Sequence, residues 1–462
     1  MNLFWRRFVY LNFFGVFFIT AFLLLFYLQG YRYNSANHRV EKTGAIMADS
    51  LPTQAHIYLN DQLYNEQTPV TIQSLTPQDY NVRLQIDGFQ TWQKKLTVQG
   101  SKVTFTGQVR LWPKNYQAET ITTGQINQSL LSPNKENLLY QINNGLSAGL
   151  WLLNLSSGQA ALLTRPAAVS FKYLEWSPSS RQILTLQNDS SQKNWKIFNI
   201  SDNSWHNLTL PSDLKPLKMH WGDSENQLYF STDQEVYSFN VSNNSYSLIW
   251  REPVKDFRLH DGLIFALSLN NAPALSLKTL DINNLKVMLF ANPPTLSTNV
   301  DFGEACDTWL PLLDQDRHTL YLLHSPLTEL NPIRQLPEVT ALDWYQEKNQ
   351  LLLTNNFEIW NYQIKEDRLS LLLRLASPFT LSRYFNNEPY LIVASANELW
   401  AMELDTRDTQ QRWLLSTFKK PIQNLYFDGS NRHIIVKTDD GLFRFIVNPN
   451  EPNVNRRLIS WP

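Results

Sequence analysis

A pattern that returns about every 42 residues most restricts what residues 116–462 can fold into. Short apolar stretches, read as the first strand of each unit, stand at Leu138-Leu139-Tyr140, Gln182-Ile183-Leu184, Gln227-Leu228-Tyr229 and Leu263-Ile264-Phe265. They return at Leu320-Tyr321-Leu322, Leu351-Leu352-Leu353, Leu391-Ile392-Val393 and Ile434-Ile435-Val436. In most units a second stretch with an aromatic near its start follows, as in Leu150-Trp151-Leu152-Leu153, Trp195-Lys196-Ile197-Phe198, Ile359-Trp360-Asn361-Tyr362 and Leu399-Trp400-Ala401-Met402. Polar turns such as Ser201-Asp202-Asn203 and Ser242-Asn243-Asn244 come next, and no helical period runs through the region. Four-stranded propeller blades repeat at about 40–45 residues. The spacing therefore predicts a β-propeller over 116–462, of eight blades, or of seven with one repeat split between the ends. The fifth unit is expected to carry an insertion around Asn292 to Thr308.

The N-terminus obeys a different rule. From Phe8 to Tyr31 no residue carries a charge. About 20 apolar residues suffice to cross roughly 30 Å of hydrocarbon as a helix. A cleaved signal peptide would have an apolar region of about 7–15 residues and an A-x-A-like site. Leu28-Gln29-Gly30-Tyr31-Arg32 offers no such site, and no Cys follows for a lipid anchor. Residues 1–31 are read as a cytoplasmic head with a transmembrane signal anchor. Charge is nearly balanced across it: Arg6, Arg7 and the amino terminus before, Arg32, Arg39 and Lys42 with Glu41 after. The short head favours a cytoplasmic N-terminus, with the bulk of the chain outside the plasma membrane.

A polar stalk, residues 32–43, leads to a small all-β module over 44–115. Ala55, Ile57 and Leu59 alternate with polar neighbours, as do Val82, Leu84 and Ile86, and Leu96 and Val98. That period of two places one face on a core and the other in water. Asn60-Asp61, Thr68-Pro69, Asp87-Gly88 and Gly100-Ser101 separate the runs as turns. Pro52-Thr53-Gln54-Ala55, the following His56-Ile57-Tyr58-Leu59-Asn60-Asp61, Thr68-Pro69, Leu75, Tyr80, Val82 and Gly88-Phe89 together resemble the PEGA domain, a β-sandwich of bacterial and archaeal surface proteins. Gln54 stands where that family has Gly, Asn60 where it has an acid, and Asp79 where it has Gly. The resemblance implies a binding or spacer module near a cell surface. In the repeats, Ser132-Pro133-Asn134, Trp176-Ser177-Pro178-Ser179, Trp221-Gly222-Asp223 and Phe427-Asp428-Gly429 resemble the W-S-P-D-G turn of TolB-like and WD40-like propellers.

Residues that could carry chemistry are scattered. His38, His56, His206, His220, His260, His318, His324 and His433 form no H-E-x-x-H or similar pair. His220, ahead of Trp221, is read as a packed residue. Asp314-Gln315-Asp316-Arg317-His318 alternates acids but lacks the Gly and distal Glu of a calcium loop, so it is read as a turn. Cys306 is the one cysteine, which excludes an intrachain disulfide and a thiolate metal cage. No G-x-S-x-G elbow, P-loop or G-x-G-x-x-G occurs. Forty basic against 41 acidic side chains leave no excess to hold a phosphate backbone, so nucleic acid is not an expected partner.

These features lead to one expectation. The chain is all-β behind a single transmembrane helix, a PEGA-like sandwich followed by a propeller. It acts without catalysis, cofactor or metal, binding a protein, a cell-wall polymer or a surface-layer component. No catalytic or binding residue is singled out. The alternative is an enzyme or enzyme subunit with its site in the central funnel.

Overall fold

The computed structural model describes residues 3–447 apart from 35–37, 117, 144, 166–169, 189–192, 212, 270–273, 289, 291–292, 326–332, 346–348, 386–387 and 430–431. Asn292, at the start of the expected insertion, and the chain end to Pro462 lie outside the described residues. The fold class is as expected: strands throughout, with one helix, Leu3–Leu28, among the described residues. Its stretch Arg7–Leu28 is 22 residues long and none of it is buried against protein. At 1.5 Å per residue it is about 33 Å long, enough to cross a bilayer.

The chain divides into two compact units. The first comprises residues 1–116 and the segment Met402–Leu415. Immediately after the helix, Tyr31–Asn34 and Arg39–Lys42 pair as a short hairpin. Two sheets follow. One orders its strands Val70–Leu75, Gly44–Leu51, Val103–Arg110, the last two parallel. The other runs Gln62–Gln67, His56–Leu59, Asp79–Gln85, Trp92–Thr97. Ile46, Ala48, Ile57, Val82, Leu84, Trp92 and Leu96 are all buried. The alternation read from the sequence thus faces a core, as in a sandwich. Gln54, in the family's glycine position, has φ of +68°. A left-handed backbone is what that position demands, and here a side chain has to adopt it.

The second unit holds 117–401 and 416–447. Its antiparallel sheets follow one another along the chain at 126–164, 170–207, 218–250, 254–296, 300–336 and 341–374. Further strands at 381–417 make another, whose outer hairpin tip belongs to the first unit. The last sheet, 422–446, takes its fourth strand, Glu119–Thr123, from the start of the unit. Apolar clusters fill the spaces between consecutive sheets. Leu139, Leu150, Phe171 and Ile183 join the first pair, and Leu184, Ile197, Leu228 and Phe230 the next. Another cluster joins Tyr426, Ile435 and Leu442 of the last sheet to Ile126, Leu138 and Tyr140 of the first. The succession therefore closes on itself. Closure explains the continuous apolar runs. In the strand Leu263–Ser268, Leu263, Phe265 and Leu267 face one neighbouring sheet while Ile264 and Ala266 face the other. A strand buried on both sides has no polar face to show.

Two details differ from the sequence reading. The stretches that marked each unit are mostly the second and third strands of their sheets. Thr295–Leu296 and Val300–Phe302, expected inside an insertion, are strands: the first pairs with Leu275–Asp281 and the second opens the next sheet.

Candidate functional site

First strands of several neighbouring sheets in the second unit lie against one another, among them Ser170–Trp176 against Lys218–Trp221 and Lys218–Trp221 against Val254–His260. Strands so placed surround an axis, and their side chains meet across sheet boundaries. Three of them, Ser170–Trp176, Lys218–Trp221 and Val254–His260, bring Tyr173, Glu175, Lys218, His220, Asp256 and Arg258 together. Alternation turns Tyr173 and Glu175 to one face of their strand and Lys218 and His220 to one face of theirs.

His220 is the hub, 1% exposed. Its Nδ1 lies 3.0 Å from Glu175 Oε2 and 2.8 Å from the Tyr173 hydroxyl. That hydroxyl donates to the same Glu175 oxygen at 2.5 Å. On its other side, Nε2 lies 2.9 Å from Asp256 Oδ1 and 2.7 Å from Arg258 Nη1. Lys218 Nζ is 3.7 Å from Asp256 Oδ2. The Phe257 ring meets the imidazole edge-on at 4.8 Å. Burial by itself would raise the Asp256 carboxyl, but His220, then Arg258 and Lys218, outweigh it and hold the group well below the usual range. The same contest lowers Glu175, with His220 the chief opponent of burial, followed by Arg258 and the Tyr173 hydrogen bond. Burial, then the Glu175 charge, pushes the Tyr173 phenol far up, so it stays a donor.

A second group sits on first strands farther round. Arg383 Nη1 donates to Asp343 Oδ1 at 3.0 Å, and the Tyr384 amide donates to Asp343 Oδ2 at 2.8 Å. Here burial wins. It raises Asp343 despite Arg383, and it raises Glu304 despite Lys135. Tyr426, on the first strand of the last sheet, bonds Ser129 across the closure at 2.6 Å. The third network lies deeper: Asp428 Oδ2 holds His433 Nδ1 at 2.8 Å, and Arg444 links His433 Nε2 at 2.7 Å to the Ser157 carbonyl at 3.2 Å.

The remaining candidates disperse. Cys306 is half-buried in a β-bridge with Trp309, and burial, with Asp307 and Glu304, raises its thiol, so a thiolate is disfavoured. Asp314 is fully buried and accepts from the Ser297 amide at 2.8 Å and the Arg317 amide at 3.1 Å. It pins the turn between Trp309–Asp314 and Thr319–His324. His56 meets Gln67, His206 meets Ser204, and His324 packs edge-on against Trp309 at 4.6 Å. Among the described residues no group of three or more His, Cys, Asp or Glu is placed to hold a metal ion.

Of the residues considered from the sequence, His220 belongs to a cluster, and Tyr173, Glu175, Asp256 and Arg258 were missed. Their strands carry no clean alternation. The one usable signal was the polar residue directly before the turn aromatic, as in Glu175-Trp176 and His220-Trp221. Chemically the cluster can exchange protons within itself and hold three sheets in register.

The geometry agrees with the comparisons to known proteins. Residues 43–114 match the PEGA domain. No curated protein matches the chain. Among solved structures, the chain is similar to the Dos1 propeller, with 10% identity, a TM-score of 0.51, and coverage of 72% of this chain and 95% of that one. Saccharomyces cerevisiae Sqt1 gives 10% identity and a TM-score of 0.46, over 72% of this chain and 98% of that one. The likeness to the Dos1 propeller shows a propeller fold for the second unit and nothing about its ligand.

Proposed function

We propose that the chain is a membrane-anchored, non-enzymatic binding or scaffolding protein of a bacterial cell envelope. Its helix stays in the plasma membrane with the N-terminus in the cytoplasm. The PEGA module and an eight-bladed propeller stand outside and recognise a protein or an envelope polymer. A PEGA domain and a propeller fold behind one apolar helix suit a binding or scaffold role. The observation that carries the reading is how the inner-strand polar groups are used. Glu175, His220 and Asp256 spend their hydrogen bonds on one another across sheet boundaries. A network closed in this way stiffens a scaffold, and recognition falls to the loops that the scaffold holds.

The test has two arms. In spheroplasts of a bacterium expressing the full chain, protease added outside should digest everything beyond Arg32 and leave the helix in the membrane. Cross-linking should then recover a defined envelope partner. A soluble chain lacking the helix, or a propeller protected from protease, would overturn the topology. The reading of a funnel enzyme rests on the same cluster. Turnover of peptides, glycans or phosphoesters that is lost in a folded Glu175→Gln variant would establish it instead.

A further inference from the structure

We infer that the hairpin after the helix, together with Lys102, forms a surface that rests on the anionic headgroups of the bilayer holding the helix. The inference depends on the anchor reading above. Helix and hairpin are joined without slack. Arg32 Nη1 donates to the carbonyls of Tyr27 at 2.7 Å and Tyr31 at 2.9 Å, and its guanidinium lies 3.5 Å over the Tyr27 ring. Phe26 and Tyr31 pack at 4.8 Å, and the Thr43 amide donates to the Gly30 carbonyl at 2.8 Å. The apolar span ends at Leu28. A polar layer of roughly 5–8 Å lies beyond the hydrocarbon on each side. A hairpin pinned three residues past the span lies in that layer.

The hairpin has two unlike faces. Asn34 and Glu41 turn inward, where Asn34 Nδ2 donates to Glu41 at 2.9 Å and to the Pro77 carbonyl at 3.4 Å. The register pairs Tyr33 with Val40 and Tyr31 with Lys42 on the opposite face. Tyr33 is 62% and Val40 58% exposed, although no fold is gained by presenting either to water. Tyrosine beside a cation is the composition of a membrane interface. Tertiary structure adds a further charge. The Ala45 amide donates to the Lys102 carbonyl at 3.0 Å, and the Ser101 amide to the Thr43 carbonyl at 3.0 Å. Lys102 therefore joins Lys42, 60 residues away in sequence, at the end of the module next to the helix, and Arg39, paired with Asn34, adds an exposed cation at the far end of the hairpin. The carboxylates near this end are engaged: Glu41 by Asn34, and Asp79 by Lys95 at 3.0 Å and Thr97 at 2.7 Å. The surplus is positive, and each such cation near an anionic surface is worth about fivefold in binding.

The experiment uses the full chain in nanodiscs, with Cys306→Ser and Val40→Cys. The alkylation rate of the position-40 thiol by a water-soluble maleimide is compared between phosphatidylcholine discs and discs that also contain phosphatidylglycerol. Alkylation should be about tenfold slower in the anionic discs. High salt, or Arg39→Gln, Lys42→Gln and Lys102→Gln together, should abolish the difference. Equal rates in the two lipids, or a difference that survives the charge removal, overturn the proposal while leaving the anchor intact. Failure of the chain to float with carbonate-washed vesicles overturns the anchor reading and the lipid surface with it.

Discussion

Lys94 has no exposed side-chain surface, which a lysine can sustain only with its charge fully matched. Its Nζ lies 2.6 Å from Glu403 Oε1 and donates to the Asp405 carbonyl at 2.9 Å. The other Glu403 oxygen accepts from Trp92 Nε1 at 2.9 Å. Lys94→Met leaves a buried carboxylate with no countercharge and should cost about 3–5 kcal/mol. Adding Glu403→Leu should recover much of that, because two apolar residues leave no buried charge alone. Thermal unfolding of the two variants decides it, and equal loss in both would refute the ion-pair account. Gln54 makes the opposite case. It holds φ +68° without a glycine, so Gln54→Gly should stabilise the chain by up to about 1 kcal/mol, seen as a raised unfolding midpoint.

At the scale of elements, the first strands of the propeller carry the polar chemistry and the second strands carry the packing. Phe265, fully buried between two sheets, should cost about 3–5 kcal/mol when changed to Ala. The acid response should come from the first strands. Glu175 and Asp256 have lowered folded-state values, so their contribution is present above the unfolded carboxylate range near 4. It is lost as pH falls through the folded values. Asp343 and Glu304 are raised and act with the opposite sign: their penalty at neutral pH is relieved as pH falls through their raised values. Glu175→Gln with Asp256→Asn should therefore lower stability at pH 7 and flatten its decline below about pH 4. An unchanged acid limb, measured by urea unfolding from neutral to acid pH, would show that these carboxylates are not what the native state loses first.

At the scale of the molecule, the strand Glu119–Thr123 pairs with Gly441–Ile446, so the two ends of the propeller are sewn together. A fragment of residues 117–447 keeps that closure and every apolar cluster between sheets, and it should fold with a β-rich circular dichroism spectrum. It lacks Trp92 and Lys94, the buried partners of Glu403. The segment Met402–Leu415 should then become a preferred site of limited proteolysis, whereas the full chain should resist cleavage there. A fragment that resists cleavage there would show that the segment is held by its own sheet alone.

The repeat length, the strand content, the membrane-length helix and the PEGA module were all legible in the sequence, because each is written in local pattern. Strands buried on both faces read as apolar runs, half-buried strands alternate, and the helix of membrane-spanning length carries no charge from Phe8 to its end. The first strands were not legible. Close to the axis, a side chain meets the neighbouring sheet rather than its own strand partners. Glu175, His220 and Asp256 therefore find one another across separations of 45 and 36 residues that no periodicity records. Asn292 to Thr308 looked like an insertion for a related reason. Two- and three-residue strands are too short to show a period, and only pairing with Leu275–Asp281 and Trp309–Asp314 makes them strands. Charge followed the same division: its balance could be counted along the chain, but which cations gather beside the helix was decided by the fold, which returns Lys102 to the strand that follows Lys42.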